Sequence, residues 1–340
     1  MKKTFLDTFI SQWSTVPPVV TADLTGQTIM VVGANVGIGF EAAKHFARMN
    51  PRRLIMACRS ESKGKAAIEE LGRETGYECA ELGLVDLASF ASVKAFAEKF
   101  GGEQDTRLDI LVMNAGVVVQ DYETTVDGWE TMLQVNHLAT ALLSFLLFPH
   151  LSKSSSPERP SRLVVVSSGA HYRVTLEMES SSTLLKTLSS KEYSNRVGLS
   201  ARYEESKLLN VFFVRALAAH LAQRDVTPVA VNPGFCYSQL RRTIYSQPLK
   251  NIFMVLMEKA MAWTAEQGAR QLVYAAIGER ENEGNIWAGY VNQGEVAEVS
   301  DFVLSEKGAR MQARVWDETI QILSSVSERV GEIEKEYFSV

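Results

Sequence analysis

The chain holds only three cysteines in 340 residues, Cys58, Cys79 and Cys236. Their odd number and wide spacing fit neither a disulfide framework nor a paired-cysteine metal site. Reduced thiols in an intracellular protein follow. Apolar runs of membrane-spanning length are also missing. The longest, residues 139–151, is broken by Thr140, Ser144 and His150 and falls short of the roughly 20 residues a transmembrane helix needs. Lys2 and Lys3 open the chain, but Asp7, Ser11 and Gln12 interrupt any hydrophobic signal segment. There is no excess of positive charge: 35 Lys and Arg stand against 40 Asp and Glu, a formal charge of −5, which disfavours nucleic acid as a partner. No internal repeat is visible. These absences lead to the expectation of a cytoplasmic protein with no membrane span.

What is present is an alternation of short apolar strands and helices. Strands are predicted at 28–32, 54–58, 79–84, 108–113, 163–166 and 226–231, and a last one near 286–291. Helices are predicted at 36–49, 61–74, 89–100, 201–223, 265–277 and 305–325. A long helix to about residue 150 is expected to start from a capping box of Asp127 and Glu130. Near-continuous apolar strands alternating with helices indicate an α/β fold, a parallel sheet covered on both faces. Two stretches break the rhythm and read as long loops, 171–200, rich in serine, and 235–263. Loops of that length in a compact domain are usually functional or mobile. The apolar residues of the second, among them Phe235, Tyr237, Leu240 and Ile244, could cover an apolar substrate or could pack a helix on the core. Residues 328–336 are charge-rich and read as solvated.

The first strand runs into Gly33-Ala34-Asn35-Val36-Gly37-Ile38-Gly39 and then a helix. A pyrophosphate bound on a helix N-terminus must approach backbone amides closely, and side chains at these turn positions would block it. Such a turn at the first strand–helix junction of an α/β chain points to a dinucleotide. The second strand ends Ala57-Cys58-Arg59-Ser60, without the carboxylate that selects a free ribose 2′-hydroxyl. Arg59 offers instead a planar fork suited to a 2′-phosphate, so NADP(H) is the expected cofactor.

Tyr203 and Lys207 form the only pair among ten tyrosines with a lysine four residues on. That spacing places phenol and ammonium on one helix face. A free tyrosine is too weak a base near neutral pH, and a nearby positive charge lowers its pKa. Ser167-Ser168 ends the fifth strand, where parallel sheets present residues to a ligand, and a hydroxyl there can hydrogen-bond a substrate oxygen. Asn114-Ala115-Gly116 ends the fourth strand and Asn232-Pro233-Gly234 the sixth. Asn136 sits in an otherwise apolar helix and needs a partner there. His137 beside it reads as packing rather than as a base.

In this order the residues resemble the short-chain dehydrogenase/reductase family over about residues 26–238. Asp86-Leu87 belongs to the same series. Ala57-Cys58-Arg59, Val135-Asn136-His137-Leu138 and Val165-Val166-Ser167-Ser168 with Ala170-His171 resemble the retinol-dehydrogenase and WW-domain-oxidoreductase branch, and fungal reductases are similar. Val32 departs from the threonine usual before the first glycine, and the span from Ser168 to Tyr203 is long. The resemblance implies a Rossmann-type doubly wound sheet in a single domain, 26–340, with a C-terminal helical lid extension behind an N-terminal extension, 1–25. It implies catalysis by Tyr203 as acid/base, Lys207 lowering its pKa and holding the ribose, Ser168 orienting the carbonyl and Asn136 supporting a relay water. Gly33, Asn35, Val36, Gly37, Ile38, Gly39, Arg59, Asp86, Leu87, Asn114, Ala115, Gly116, Pro233, Gly234 and Ser238 would border NADP(H), Asp86 near the adenine and Ser238 near the carboxamide. The expected reaction is hydride transfer between NADP(H) and a carbonyl or alcohol, with a lipophilic aldehyde or ketone favoured. A non-catalytic NADP-binding scaffold, or an epimerase or dehydratase working through transient oxidation, are the alternatives. In this family the helices carrying Asn136 and Tyr203 often pair across a twofold axis, so a homodimer is possible.

Overall fold

The computed structural model describes residues 12–177, 183–237, 240 and 258–338. Its centre is an eight-stranded sheet in the order β3-β2-β1-β4-β5-β6-β7-β8. Strands β1 (Thr28–Val32), β2 (Arg53–Cys58), β3 (Ala80–Leu84), β4 (Ile110–Met113), β5 (Ser161–Val166), β6 (Val226–Asn232) and β7 (Tyr290–Asn292) run parallel. The short β8 (Glu295–Ala297) closes the edge antiparallel to β7. Side chains alternate across the pleat. In β1, Met30 and Val32 enter one core, and Ile29 and Val31 enter the other.

One face is covered by α1 (Gly37–Ala47), α2 (Glu61–Thr75) and a later helix, Ala265–Ile277. The other carries α3 (Phe90–Gly101), α4 (Thr131–Ser154) and the long helix Leu199–His220. The chain works outward from β1 to β3, then crosses back to β4. Strand order therefore reverses between β1 and β4, and the carboxyl ends of these strands open a crevice. The doubly wound Rossmann-type sheet read from the sequence is what the chain forms.

Four local expectations need correction. The capping box at α4 is not made. Glu130 is itself the N-cap, and its carboxylate accepts from the backbone N–H groups of Met132 and Leu133. Asp127 instead takes Phe90 N and Gln134 Nε2, tying α3 to α4. The serine-rich 171–200 segment is not an open loop. It holds the 3₁₀ turn Gly169–Arg173 and helices α5 (Leu184–Leu188) and α6 (Lys191–Val197), before α7 (Leu199–His220). Leu184, Leu185, Leu188 and Tyr193 are buried there, in helices too short for a periodic signal. Ile286 lies not in the last strand but in a short helix, α9 (Glu283–Ile286), which follows α8 (Ala265–Ile277). The charge-rich end is not simply solvated. It forms α12 (Glu328–Tyr337), after α10 (Asp301–Leu304) and α11 (Glu306–Val326), and Val330 and Ile333 are fully buried.

These C-terminal helices, expected as a lid extension, pack on α4 and α7. Phe145 of α4 meets Phe213, Trp316 and Phe338 at ring-centroid distances of 5.5, 5.6 and 5.6 Å. The apolar face offered by the sequence to a twofold partner is thus covered by the same chain. By length and composition α4 is the one helix among the described residues that could cross a membrane, yet 89% of its most apolar window is buried.

Candidate functional site

The first βα turn is shaped by close approach. Gly33 has φ +85°, and a Cβ there would lie 2.8 Å from the Ala115 Cα. A Cβ on Gly39 would lie 2.2 Å from the Gly33 carbonyl oxygen and 2.4 Å from Asn114 Nδ2. Gly37 has φ +64°. Asn114 Nδ2 donates to Gly33 O at 2.9 Å, joining the ends of β4 and β1. Asn35 and Ile38 are half-buried and Val36 is exposed. The first turn of α1 has neither a capping side-chain hydrogen bond nor an acidic residue. Its amide ends and the positive end of its dipole are left for an anion.

At the end of β2, Arg59 is exposed, and it makes no ion pair or side-chain hydrogen bond among the described residues. Asp86, after β3, accepts from Ala88 N at 3.0 Å. The Leu87 side chain is buried in the core, so it does not line the crevice. Only its backbone is left to face a ligand.

The remaining candidates converge from four elements. Asn136 lies in a π-helical turn of α4, Gln134–Leu138, a local form frequent at functional sites. Its Nδ2 donates to Val117 O and to Ser206 Oγ, each at 3.0 Å, and its Oδ1 accepts from Val117 N at 2.8 Å. Gly116 fits between two of these groups. A Cβ there would stand 3.3 Å from Asn136 Oδ1 and 3.5 Å from Lys207 Nζ. Lys207 is 4% exposed and donates to Val166 O, at the end of β5, at 2.9 Å. Burial pushes its pKa down to about 8. Its Nζ is 5.9 Å from the centroid of the Tyr203 ring. Ser168 is half-buried and caps the 3₁₀ turn through Ala170 N at 3.2 Å, and this turn packs against α7. His137 is buried, and its Nε2 meets Thr319 Oγ1 of α11 at 2.9 Å. With its pKa lowered to about 3 by burial, it is a packing residue, as read from the sequence.

Pro233 and Gly234 follow β6. Gly234 has φ +83°, and a Cβ there would strike the Trp263 ring at 2.5 Å. Beyond it, Cys236 bridges Trp263 in a short parallel pairing. Ser238 and most of the 235–263 segment lie outside the described residues.

Sequence reasoning passes over two features here. The first is Gln12, 6% exposed, whose side chain bonds Phe235 O, Phe235 N and Met261 O at 3.0, 2.9 and 3.2 Å. Its own carbonyl accepts from Trp263 Nε1 at 2.7 Å. The N-terminal arm thus binds both strands of the pairing after Pro233-Gly234. Nothing in the arm's composition signals this. The second is a buried charge cluster of Glu130, Arg202 and Glu205. Its available signal is a run of charged residues within a helix that is otherwise buried.

A family model described as short chain dehydrogenase matches residues 27–179. The short-chain dehydrogenase anuD of Penicillium roqueforti is 32% identical over 331 residues, covering 94% of this chain and 84% of that protein. The short chain dehydrogenase sol3 of Alternaria solani is 36% identical over 262 residues, covering 77% and 88%. The chain belongs to the short-chain dehydrogenase/reductase family. It is an oxidoreductase acting on a small molecule with a nicotinamide cofactor. Among solved structures, an uncharacterised protein from Mycobacterium paratuberculosis has a TM-score of 0.64 and 27% identity, with 90% of this chain and 98% of that chain covered. An NADPH-bound carbonyl reductase from chicken fatty liver shares the fold, with a TM-score of 0.57, 21% identity and coverage of 81% and 100%. The residues present fit a dinucleotide. Glycine stands where a Cβ would fill the cradle, the first turn of α1 is uncapped, and Lys207 has donors left beyond its bond to Val166 O.

Proposed function

We propose that the protein reduces a lipophilic aldehyde or ketone with NADPH, Tyr203 supplying the proton. The observation that carries this reading is the buried Lys207 ammonium, 5.9 Å from the Tyr203 ring and held at the end of β5 by Val166 O. NADPH, when bound, supplies the hydride. Ser168 hydrogen-bonds the carbonyl oxygen as negative charge grows there. Tyr203 then donates its phenolic proton to that oxygen. With a pKa of about 8, Lys207 is mostly protonated near pH 7, and its charge favours the phenolate left behind. Asn136 holds the Val117 backbone at the mouth of this arrangement. Arg59, exposed and without an ion pair or side-chain hydrogen bond among the described residues, supports the 2′-phosphate and hence NADPH over NADH. The lipophilic substrate class rests on the apolar content of residues 235–263.

The experiment is a screen of aldehydes, ketones and alcohols with both cofactors, followed by reduced-nicotinamide absorbance. Tyr203→Phe is expected to lower turnover at least about a hundredfold, the scale of lost acid/base catalysis, with NADPH affinity retained. Near-normal turnover in that variant refutes the role of Tyr203. Product formed without net cofactor consumption would indicate epimerisation or dehydration instead, and NADPH binding without any turnover would indicate a scaffold.

A further inference from the structure

Arg202 immediately precedes Tyr203, and nothing in the reaction above uses it. It is fully buried between two carboxylates. One belongs to Glu205, on its own helix, which also accepts the Tyr193 hydroxyl at 2.5 Å. The other is Glu130 at 3.4 Å, the N-cap of α4, whose oxygens also take the Met132 and Leu133 amides at 2.8 and 2.9 Å. The Arg202 guanidinium lies 5.5 Å from the Tyr193 ring centroid.

A second link joins the same helices. Asn136 Nδ2 of α4 donates to Ser206 Oγ of α7, and that hydroxyl donates to Tyr203 O at 2.7 Å. Residues 202 and 206 are four apart, so they share one face of α7, about 6 Å apart along its axis. Tyr203 and Lys207 lie on the neighbouring face, about 100° round. The helix that carries the proton donor is therefore pinned to the helix of Asn136 at two points one turn apart, and Tyr203 lies between them. A single pin would fix a distance and leave rotation and slide free. Two pins also fix the register.

Energetics argue that stability is not the reason for such a cluster. Burying two carboxylates and one guanidinium costs desolvation that their attraction often fails to recover, and apolar replacements of similar volume are commonly neutral or stabilising. A role in fixing register is the best-attested use of buried charge. We propose that Arg202, with Glu130 and Glu205, is a positioning residue that sets the register of α7 on α4, and so the placement of Tyr203 relative to Asn136 and the substrate oxygen. The effect on turnover rests on the function proposed above, while the effect on register does not.

The test uses the full chain in two variants. Arg202→Met with Glu205→Gln removes the arginine together with one of its carboxylates, so the net charge of the cluster is unchanged, and Glu130 keeps its two amide donors. Arg202→Lys keeps the charge and loses the fork that spans both carboxylates. Hydrogen exchange is read first, because it needs no substrate. Exchange is expected to speed up at residues 131–138 and 199–207 in both variants, with the sheet strands unchanged. Unaltered exchange in those two segments, or a general loosening of the sheet, overturns the proposal. Turnover is then measured well below the melting temperature with a carbonyl that the parent reduces. The double variant is expected to lose at least tenfold in kcat, keep the Kd for NADPH within twofold, and show a larger isotope effect with 4-deuterated NADPH. Arg202→Lys should recover part of the loss. A kcat within twofold of the parent, or a kcat loss matched by an equal loss of NADPH affinity, overturns the link to Tyr203. A parent that reduces no carbonyl fails the functional reading alone, and hydrogen exchange still decides the register.

Discussion

Gly39→Ala is a demanding test of the proposed cofactor turn, because the structure says where the added methyl group goes. It would sit 2.2 Å from Gly33 O and 2.4 Å from Asn114 Nδ2, the two atoms that bond each other at 2.9 Å. Ordinary contact requires a retreat of about 1 Å or more on each side. Gly33 has little room to yield, since its N–H is held by Ala57 O at 2.7 Å and the Ala115 backbone lies where a Cβ on Gly33 would meet it at 2.8 Å. The hydrogen bond between the ends of β1 and β4 must stretch or break. Overpacking of this kind costs about 1–3 kcal/mol and the lost bond about 1 kcal/mol, so about 2–4 kcal/mol of stability should go. Gly26→Ala is the control. Gly26 has a left-handed φ, +81°, which Gly39 does not, and an added Cβ there meets nothing within 4 Å, so it should lose about 1–2 kcal/mol from the backbone alone. Urea unfolding separates the two variants, and calorimetric titration with NADPH reads the turn itself. Gly39→Ala is expected to weaken NADPH by at least about tenfold, the equivalent of 1.4 kcal/mol, and Gly26→Ala to leave it unchanged. Parent-like NADPH affinity in folded Gly39→Ala would refute the placing of the pyrophosphate on this turn.

Three further outcomes follow from other parts of the molecule. Arg59→Ala should weaken NADPH roughly ten- to hundredfold and leave NADH nearly unchanged, as expected for one lost charge-assisted pair; equal losses in titrations of both cofactors would contradict the assignment. Lys207→Met should stabilise the cofactor-free protein at pH 7, because burial has lowered the lysine pKa from 10.5 to about 8 and the folded state resists the charge. The unfolded chain holds this proton between pH 8 and 10.5, so parent stability rises with pH across that window. The advantage of the variant, up to about 3 kcal/mol, should shrink over the same range, and Val166 O keeps the amide of Asn210 as donor; urea melts that show no gain, or a gain independent of pH, would contradict it. Phe145→Ala should cost about 3–5 kcal/mol as a buried aromatic lost from a packed core, and light scattering should give a monomer mass for the parent, because this chain already covers α4; a dimer mass at micromolar concentration would contradict that reading.

The sheet was legible because β1, β2, β4, β5 and β6 are short apolar runs buried almost throughout, alternating with helices, whereas β3 and β8 are largely exposed. Ser60, Ser89 and Thr264 cap α2, α3 and α8 through their side chains. The glycine turn, Asn136 and the Tyr203–Lys207 pair were legible because their chemistry restricts residue type at fixed spacing. What escaped has a physical reason in each case. Helices α5 and α6 span five and seven residues, less than two full turns of pattern. In α12 the buried positions are only Val330 and Ile333, and the charges around them dominate the composition. Asp127 is the usual N-cap type and Glu130 is not, and only the fold shows that Asp127 is taken by α3 while Glu130 caps α4. Gln12 and Arg202 act across 223 and 72 residues of sequence, and no local rule sees a contact made at that distance.

The covering of α4 has a consequence for how the chain is made. Phe145 is synthesised long before Trp316 and Phe338, the rings that close over it. At about 5–20 residues per second, the last of these rings follows after roughly 10–40 s. For that interval Phe145 has at most Phe213 of α7 beside it, and the part of the helix that Trp316 and Phe338 later cover stands open. The sheet can assemble through β5 and β6 beneath it, because their neighbours are already present. The half-made protein is therefore a sheet with an uncovered greasy flank, and that is the species most in need of a chaperone. Slower translation between α4 and α11 should raise aggregation of nascent chains without changing the stability of the finished molecule.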